Sequence, residues 1–148
     1  MMGSRSRGAR ILGHRAHGQG LVEFALVFPI AMLVLIAIFD VGRLVFAYND
    51  ITNAARSGAR TAIVDQTPGD ASTSTINQAT SLGLTNANVD IQYLKPDLSG
   101  SCSPLQLGCV AQVTVHYAWS AITPIVGNIL GPITVTAESR MPIERTYP

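Results

Sequence analysis

The sequence predicts an α+β protein in which one long N-terminal helix precedes a small antiparallel-sheet domain. Two patterns support this fold class. Residues 21–39 are apolar except for Glu23 and Pro29, and three later segments alternate apolar with polar residues, as strands with one solvated face do. A chain of 148 residues is long enough for one modest domain. Its 47% hydrophobic and 13% charged residues exclude a disordered chain, which needs low hydrophobicity and high charge.

The apolar segment 21–39 is predicted to be a single transmembrane helix. Its length is close to the roughly 20 residues that cross the hydrocarbon core of a bilayer, and no second segment of similar length follows. A buried core helix is less favoured, because no other segment is apolar enough to surround it. A secretory signal peptide is also less favoured, because no small-residue cleavage site follows. Pro29 should kink or loosen this helix, since it removes one backbone hydrogen bond.

The distribution of charge predicts the orientation of the chain. Residues 1–18 contain four arginines and no acid, whereas all nine acidic residues lie later. The positive-inside rule therefore places a basic leader, 1–18, in the cytoplasm and residues 40–148 across the membrane. The predicted domains are this leader, a long helix over 19–65 and an extracytoplasmic α+β domain over 66–148. The net charge of +1 gives no indication of a nucleic-acid partner.

The helix is predicted to continue beyond the membrane to about Val64, because no proline follows until Pro68. Apolar residues recur there at three- and four-residue spacing and form one face of the helix. The second half of this face consists of small residues, which allow another backbone to approach closely. Two interpretations stay open: the face packs on its own domain, or it receives a neighbouring subunit. The predicted face contains Leu44, Tyr48, Ile51, Ala55, Gly58, Ala59 and Ala62.

Shorter elements are predicted after residue 66. Asp70 is expected to cap a short helix over 71–82 that turns Ile76, Ala79 and Leu82 inward. Strands are expected over 88–94, 110–119 and 133–143, where apolar and polar residues alternate. The connecting segment 122–130 is too apolar for a solvated loop. We expect it to pack on its own sheet, the alternative being a contact with a partner subunit.

Little in the sequence indicates catalytic chemistry. Cys102 and Cys109 lie in a loop rich in Gly, Ser and Pro, and outside the cytoplasm they should form a disulfide. The alternative is two free thiols. A zinc site needs more ligands, and His116 is the only histidine near them. The sequence contains no phosphate-binding loop, H-E-x-x-H, G-x-S-x-G or CxxC motif. We therefore predict no enzyme activity, no cofactor, no metal and no small-molecule substrate.

Glu23 is the unusual residue of the apolar segment. An ionisable side chain inside a membrane helix indicates function by default. The structural alternative is a glutamate in the first helical turn, where the helix dipole favours it and its carboxylate reaches the headgroups. Taken alone, the residue favours neither interpretation.

The junction as a whole resembles the processing site of type IV prepilins: a basic leader, a glycine, four residues, a glutamate and an apolar helix. The resemblance implies cleavage between Gly18 and Gln19, with Glu23 as the fifth residue of the mature chain. Residues 18–62 closely resemble the TadE-like family, minor pilins or pseudopilins of the tight-adherence (Tad/Flp) pilus system. The resemblance is carried by Gly18, Glu23, Phe24, Pro29, Asp40, Gly42, Arg43, Asn53, Ala54, Ala55, Arg56, Gly58 and Ala59.

The resemblance implies a non-enzymatic role in pilus assembly and surface adhesion, from the bacterial inner membrane. The implied partners are the lipid bilayer, a prepilin peptidase, other pilin-like subunits and an inner-membrane assembly platform. Glu23 and Phe24 would set the register of subunits. Two alternatives are a signal-anchored membrane protein with an external binding domain, and a type II secretion pseudopilin. The residues assigned to helix packing are Pro29, Asp40, Gly42, Arg43, Ala55, Gly58 and Ala59.

Overall fold

A computed structural model describes residues 16–124, 127–128 and 131–146 of the chain. It confirms the α+β fold class. Helix α1 (Ala16–Val64) runs without interruption and includes Pro29. It begins three residues before the long helix predicted over 19–65 and ends one residue before that prediction does. Within the described ranges the chain forms two compact units that meet inside α1, one ending at Ile36 and one beginning at Ala37.

In the first unit, every described side chain from Gly18 to Ile36 is exposed. The most apolar 18-residue window of α1 has a mean hydropathy of 2.7, and none of its residues is buried. Such a helix is long and apolar enough to cross a membrane. An apolar helix in water would bury one face, so the uniform exposure indicates a surface that needs an apolar partner or solvent.

In the second unit, three strands form an antiparallel sheet. They are β1 (Val89–Leu94), β2 (Val110–Trp119) and β3 (Ile133–Pro142), in the spatial order β1-β2-β3. The long central strand pairs Val113 with Ile91 on one side and with Ser139 on the other. Strand β1 begins one residue later than predicted, because a short 3₁₀ helix occupies Asn86–Asn88.

The core of the second unit lies between one face of this sheet and the second half of α1. It is built mainly from alanine and valine, so helix and sheet approach closely. The predicted helix face is correct except for Tyr48, which is 51% exposed, whereas Ala47 is buried. The core residues from α1 are Ile51, Ala54, Ala55, Ala59 and Ala62, and those from the sheet are Ala111, Val113, Val115 and Ala137.

The short helix after α1 differs from its prediction. Helix α2 (Pro68–Gln78) begins at a proline, which suits the first helical position. Thr67 is the N-cap residue and Asp70 lies inside the first turn, so the prediction that Asp70 caps this helix is wrong. The end of the predicted helix is a separate 3₁₀ turn, Thr80–Leu82. The buried Ala79 and the partly buried Ile76 and Leu82 face the core, as predicted.

The prediction that segment 122–130 packs on the sheet is wrong at its first residue. Ile122 is 67% exposed, although the neighbouring Thr123 is buried. Gly127 is partly buried and Asn128 is exposed. Ile125 and Ile129, which the prediction also places in this packing, lie outside the described residues.

Candidate functional site

The residues of the proposed processing site lie on the exposed first unit. Gly18, Gln19 and Glu23 are helical and exposed. Phe24 stacks on Phe28 one turn later, with ring centroids 5.2 Å apart, and both rings remain largely exposed. No Cβ at Gly18 would meet another atom within 4 Å. Among the described residues the junction is therefore exposed, and Glu23 makes no contact that would give it a purely structural role.

Asp40 forms the best-connected polar site of the second unit. Its Oδ1 accepts a hydrogen bond from the backbone N–H of Ile122 at 3.0 Å. Its Oδ2 accepts two more, from the Thr123 backbone N–H at 3.0 Å and from the Thr123 hydroxyl at 2.5 Å. Arg43 lies 3.6 Å from Oδ1, and only 4% of the Asp40 side chain is exposed. We call this group of contacts the Asp40 clamp.

The hydrogen bonds of the clamp favour the ionised carboxylate. They hold the pKa of Asp40 below its ordinary value, first through the Thr123 hydroxyl and then through the two backbone N–H groups. Burial acts in the opposite direction, and Arg43 adds a smaller attraction. Because a carboxylate with such donors binds backbone N–H groups as a helix cap does, Asp40 tethers the segment after β2 to helix α1.

The small-residue face of α1 packs against its own domain. Ala55, Gly58 and Ala59 are buried. A Cβ at Gly58 would clash with the hydroxyl of Thr75 and would lie 3.2 Å from a methyl group of Val113. This contact supports the first of the two interpretations left open by the sequence. Gly42 differs, because a Cβ there would meet nothing within 4 Å.

Two polar contacts join α1 to the α2 region and were not predicted. Ser57 Oγ lies 3.2 Å from Ser74 Oγ, and the hydroxyl of Ser81 donates to Asp50 Oδ2 at 2.5 Å. Thr123 of the clamp was missed as well. It lies 83 residues from Asp40, and its sequence neighbourhood is apolar, so local pattern did not indicate a polar partner.

Cys102 and Cys109 are joined by a disulfide. Both are buried with Ile143, and Ile63 near the end of α1 packs against this small cluster. The bridge therefore closes the loop between β1 and β2 and ties it to the end of β3. His116 is exposed, and its Nδ1 lies 3.1 Å from Thr136 Oγ1 on β3.

Removing the disulfide should lower the stability of the second unit. For Cys102→Ser combined with Cys109→Ser we expect a loss of about 2.5 kcal/mol in the free energy of unfolding, because the unfolded chain regains the entropy of an open eight-residue loop. Urea unfolding of the full chain in detergent micelles, followed by the fluorescence of Trp119, measures this. The matched control is wild type with dithiothreitol, which should reproduce the loss. Equal stability of oxidised and reduced wild type would contradict the prediction.

No group of three His, Cys, Asp or Glu residues in the described part of the chain could hold a metal ion. The described residues do contain an exposed apolar helix surface and two internal ties, the Asp40 clamp and the disulfide.

The comparisons with known proteins agree with the sequence resemblance. The model of a family described as TadE-like protein matches residues 18–60. No curated protein and no solved structure matches the chain. The matched segment contains the exposed apolar helix, the proposed processing site, Asp40 and the small-residue face. Over residues 18–60 the predicted similarity to the TadE-like family is thus confirmed.

Proposed function

We propose that the chain is a minor pilin or pseudopilin of the Tad/Flp system, a non-enzymatic subunit that acts in pilus assembly and surface adhesion. The single observation that carries the proposal is the TadE-like match over residues 18–60. The fully exposed apolar surface from Gly18 to Ile36 supports it, because both a membrane and a pile of apolar helices would cover such a surface.

In this proposal the chain is made as an inner-membrane precursor. The basic leader stays in the cytoplasm and the sheet domain is exported, as the positive-inside rule implies. A prepilin peptidase then cuts between Gly18 and Gln19. The cut removes the leader arginines and creates a new amine on Gln19, which is positive near neutral pH.

Glu23 has a definite role in this proposal. Among packed apolar helices an unpaired carboxylate is costly, and a nearby amine removes that cost. The amine of Gln19 lies one helical turn before Glu23, or can come from a neighbouring subunit. The pair would admit a new subunit only at the matching depth, so Glu23, with Phe24 beside it, would set the register of assembly with other pilin-like subunits and the assembly platform.

Two substitutions separate processing from assembly. Gly18→Val should block the cut, because a branched side chain crowds the peptidase site, and should leave the full-length chain in the membrane. Glu23→Ala should leave cutting intact but greatly reduce recovery of the chain with sheared pili. Intact mass spectrometry and pilus pull-down from native cells measure the two effects.

Gly20→Val is the matched control for processing, since a Cβ at Gly18 or at Gly20 meets nothing within 4 Å. It should be cut like wild type. Glu23→Gln keeps the shape of the side chain and should fail in assembly as the alanine variant does. A wild-type chain that still begins upstream of Gln19 in native cells would contradict the prepilin proposal and favour a signal-anchored membrane protein.

A further inference from the structure

The second unit has two ends that differ sharply in charge. Strand β2 runs from the disulfide to Trp119, about 30 Å for its ten residues. Just beyond Trp119 lies the loop 120–124, which the Asp40 clamp holds. We call this side the Asp40 end. The other side holds the disulfide and Ile63 of α1, and we call it the disulfide end.

Charged residues collect at the disulfide end. Lys95 and Asp97 follow β1, and Glu144 and Arg145 follow β3. In contrast, the sequence contains no Asp, Glu, Lys or Arg between Asp97 and Glu138, a stretch that includes all of β2 and the loop 120–124. A loop that faces water often contains charged side chains, so the absence of charge suits this one to a less polar surrounding.

Several large apolar residues are exposed at the Asp40 end, alongside the polar Ser120 and Arg43. Ile122 is 67% exposed and Phe39 is 73% exposed. On α1 the apolar exposure continues past Asp40 for two turns, at Val41, Val45 and Phe46, each more than half exposed. Six residues of helix rise about 9 Å, which is enough to cross the roughly 5–8 Å of one polar headgroup layer of a bilayer.

The clamp holds the loop beside Asp40 of α1. Asp40 directly follows Phe39, the last residue of the apolar segment, and the backbone of Ile122 is hydrogen-bonded to its carboxylate. The loop is therefore held at the level of Phe39 and Asp40 on α1. Arg43, with its side chain 47% exposed, lies one turn further out, at the height where phosphate groups would attract it.

We infer that the loop 120–124 is a lipid-contacting loop that inserts Ile122 into the edge of the bilayer and seats the Asp40 end of the domain on the membrane surface. The occupant of this apolar surface is the lipid headgroup and upper acyl layer. The inference rests on the membrane anchor of the proposed function, and its test separates the two.

The test uses one environment-sensitive fluorophore at a time. The chain has two cysteines, and both are in the disulfide, so an added cysteine is labelled alone. Ile122→Cys and the control Val64→Cys are each labelled in the full chain. Val64 is also β-branched and is 58% exposed. It is the last residue of α1, about 36 Å along the helix from Asp40.

Each labelled chain is reconstituted into vesicles of phosphatidylcholine and phosphatidylglycerol that contain a lipid with a nitroxide in its upper acyl chain. We expect the probe at residue 122 to emit at shorter wavelength and to lose most of its emission to the nitroxide. The probe at residue 64 should emit as in water and lose almost none.

Each other result overturns a defined part of the argument. A chain that does not float with the vesicles overturns the anchor and the inference together. A chain that floats but has an unquenched probe at residue 122 overturns the inference alone. A blue-shifted probe that is not quenched, and whose shift grows with protein density, identifies a second copy as the occupant and overturns the inference. Equal quenching of both probes also overturns it, because only one end is expected to touch lipid.

Discussion

Asp40→Ala should release the loop 120–124 from α1 and destabilise the second unit strongly. The substitution removes the acceptor that the described residues give to the Ile122 N–H and to the backbone N–H and hydroxyl of Thr123. Thr123 is buried, so water cannot fully replace the lost hydrogen bonds to its N–H and hydroxyl. A buried donor without an acceptor costs more free energy than its hydrogen bond contributed. We expect a lower midpoint of urea unfolding and a red-shifted emission of Trp119, which lies four residues before Thr123.

Two variants at the same site show whether the clamp is the cause. Asp40→Asn keeps one acceptor oxygen and the shape of the side chain, so it should destabilise the domain less than alanine does. Arg43→Gln should change the stability little, because the Arg43 side chain is half exposed and its ion pair with Asp40 is long at 3.6 Å. A greater loss for the Arg43 variant than for Asp40→Ala would contradict this account.

The clamp should also give the domain a specific sensitivity to acid. The pKa of Asp40 is lowered in the folded state, so its ionised form stabilises the fold above the ordinary carboxyl pKa of about 3.9. This contribution is lost as the pH falls through the folded pKa. Asp65 and Asp97 also have lowered pKa values, so the informative quantity is the difference between wild type and Asp40→Asn. That difference should shrink as the pH falls below about 4.

Periodicity predicts the main elements of this fold because they are long and regular. The apolar segment and the strand alternation of β2 are signals that repeat over many residues. The error at Tyr48 shows the limit of the method. Periodicity predicts the large aromatic ring on the core face, but the neighbouring Ala47 is buried there and Tyr48 lies half exposed.

The sequence pattern does not predict contacts between residues that are far apart in the chain. The family resemblance marked Asp40 but not its partner, since Thr123 lies in an apolar stretch far along the chain. The same stretch led to the wrong expectation for Ile122, because an apolar residue was assumed to turn inward. In a domain attached to an apolar helix, the outside near the helix can itself be apolar. The polarity of the surroundings, which a single sequence does not report, decides which side such a residue faces.

Gly58→Ala should destabilise the second unit, although alanine favours helix formation. A Cβ at this position would clash with the hydroxyl of Thr75 and would lie 3.3 Å from the carbonyl oxygen of Ala71. Thr75 is fully buried, and its hydroxyl donates to that same carbonyl at 2.8 Å, so it cannot move without losing the bond. Overpacking of this kind costs about 1–3 kcal/mol, against a gain of about 1 kcal/mol in helix propensity.

Gly42→Ala is the matched control, since it lies on the same helix and its Cβ would meet nothing within 4 Å. It should be neutral or stabilising by up to about 1 kcal/mol. Urea unfolding followed by Trp119 fluorescence measures both variants in the full chain.

A second substitution at Thr75 identifies the clashing atom. Thr75→Ala removes the hydroxyl and should recover part of the stability lost in Gly58→Ala, whereas Thr75→Val keeps a branch atom at that place and should recover none. If Gly58→Ala were as stable as Gly42→Ala, α1 and α2 could separate at this level without cost. The small-residue face would then be free to receive a neighbouring subunit, which is the interpretation that the close packing at Gly58 now opposes.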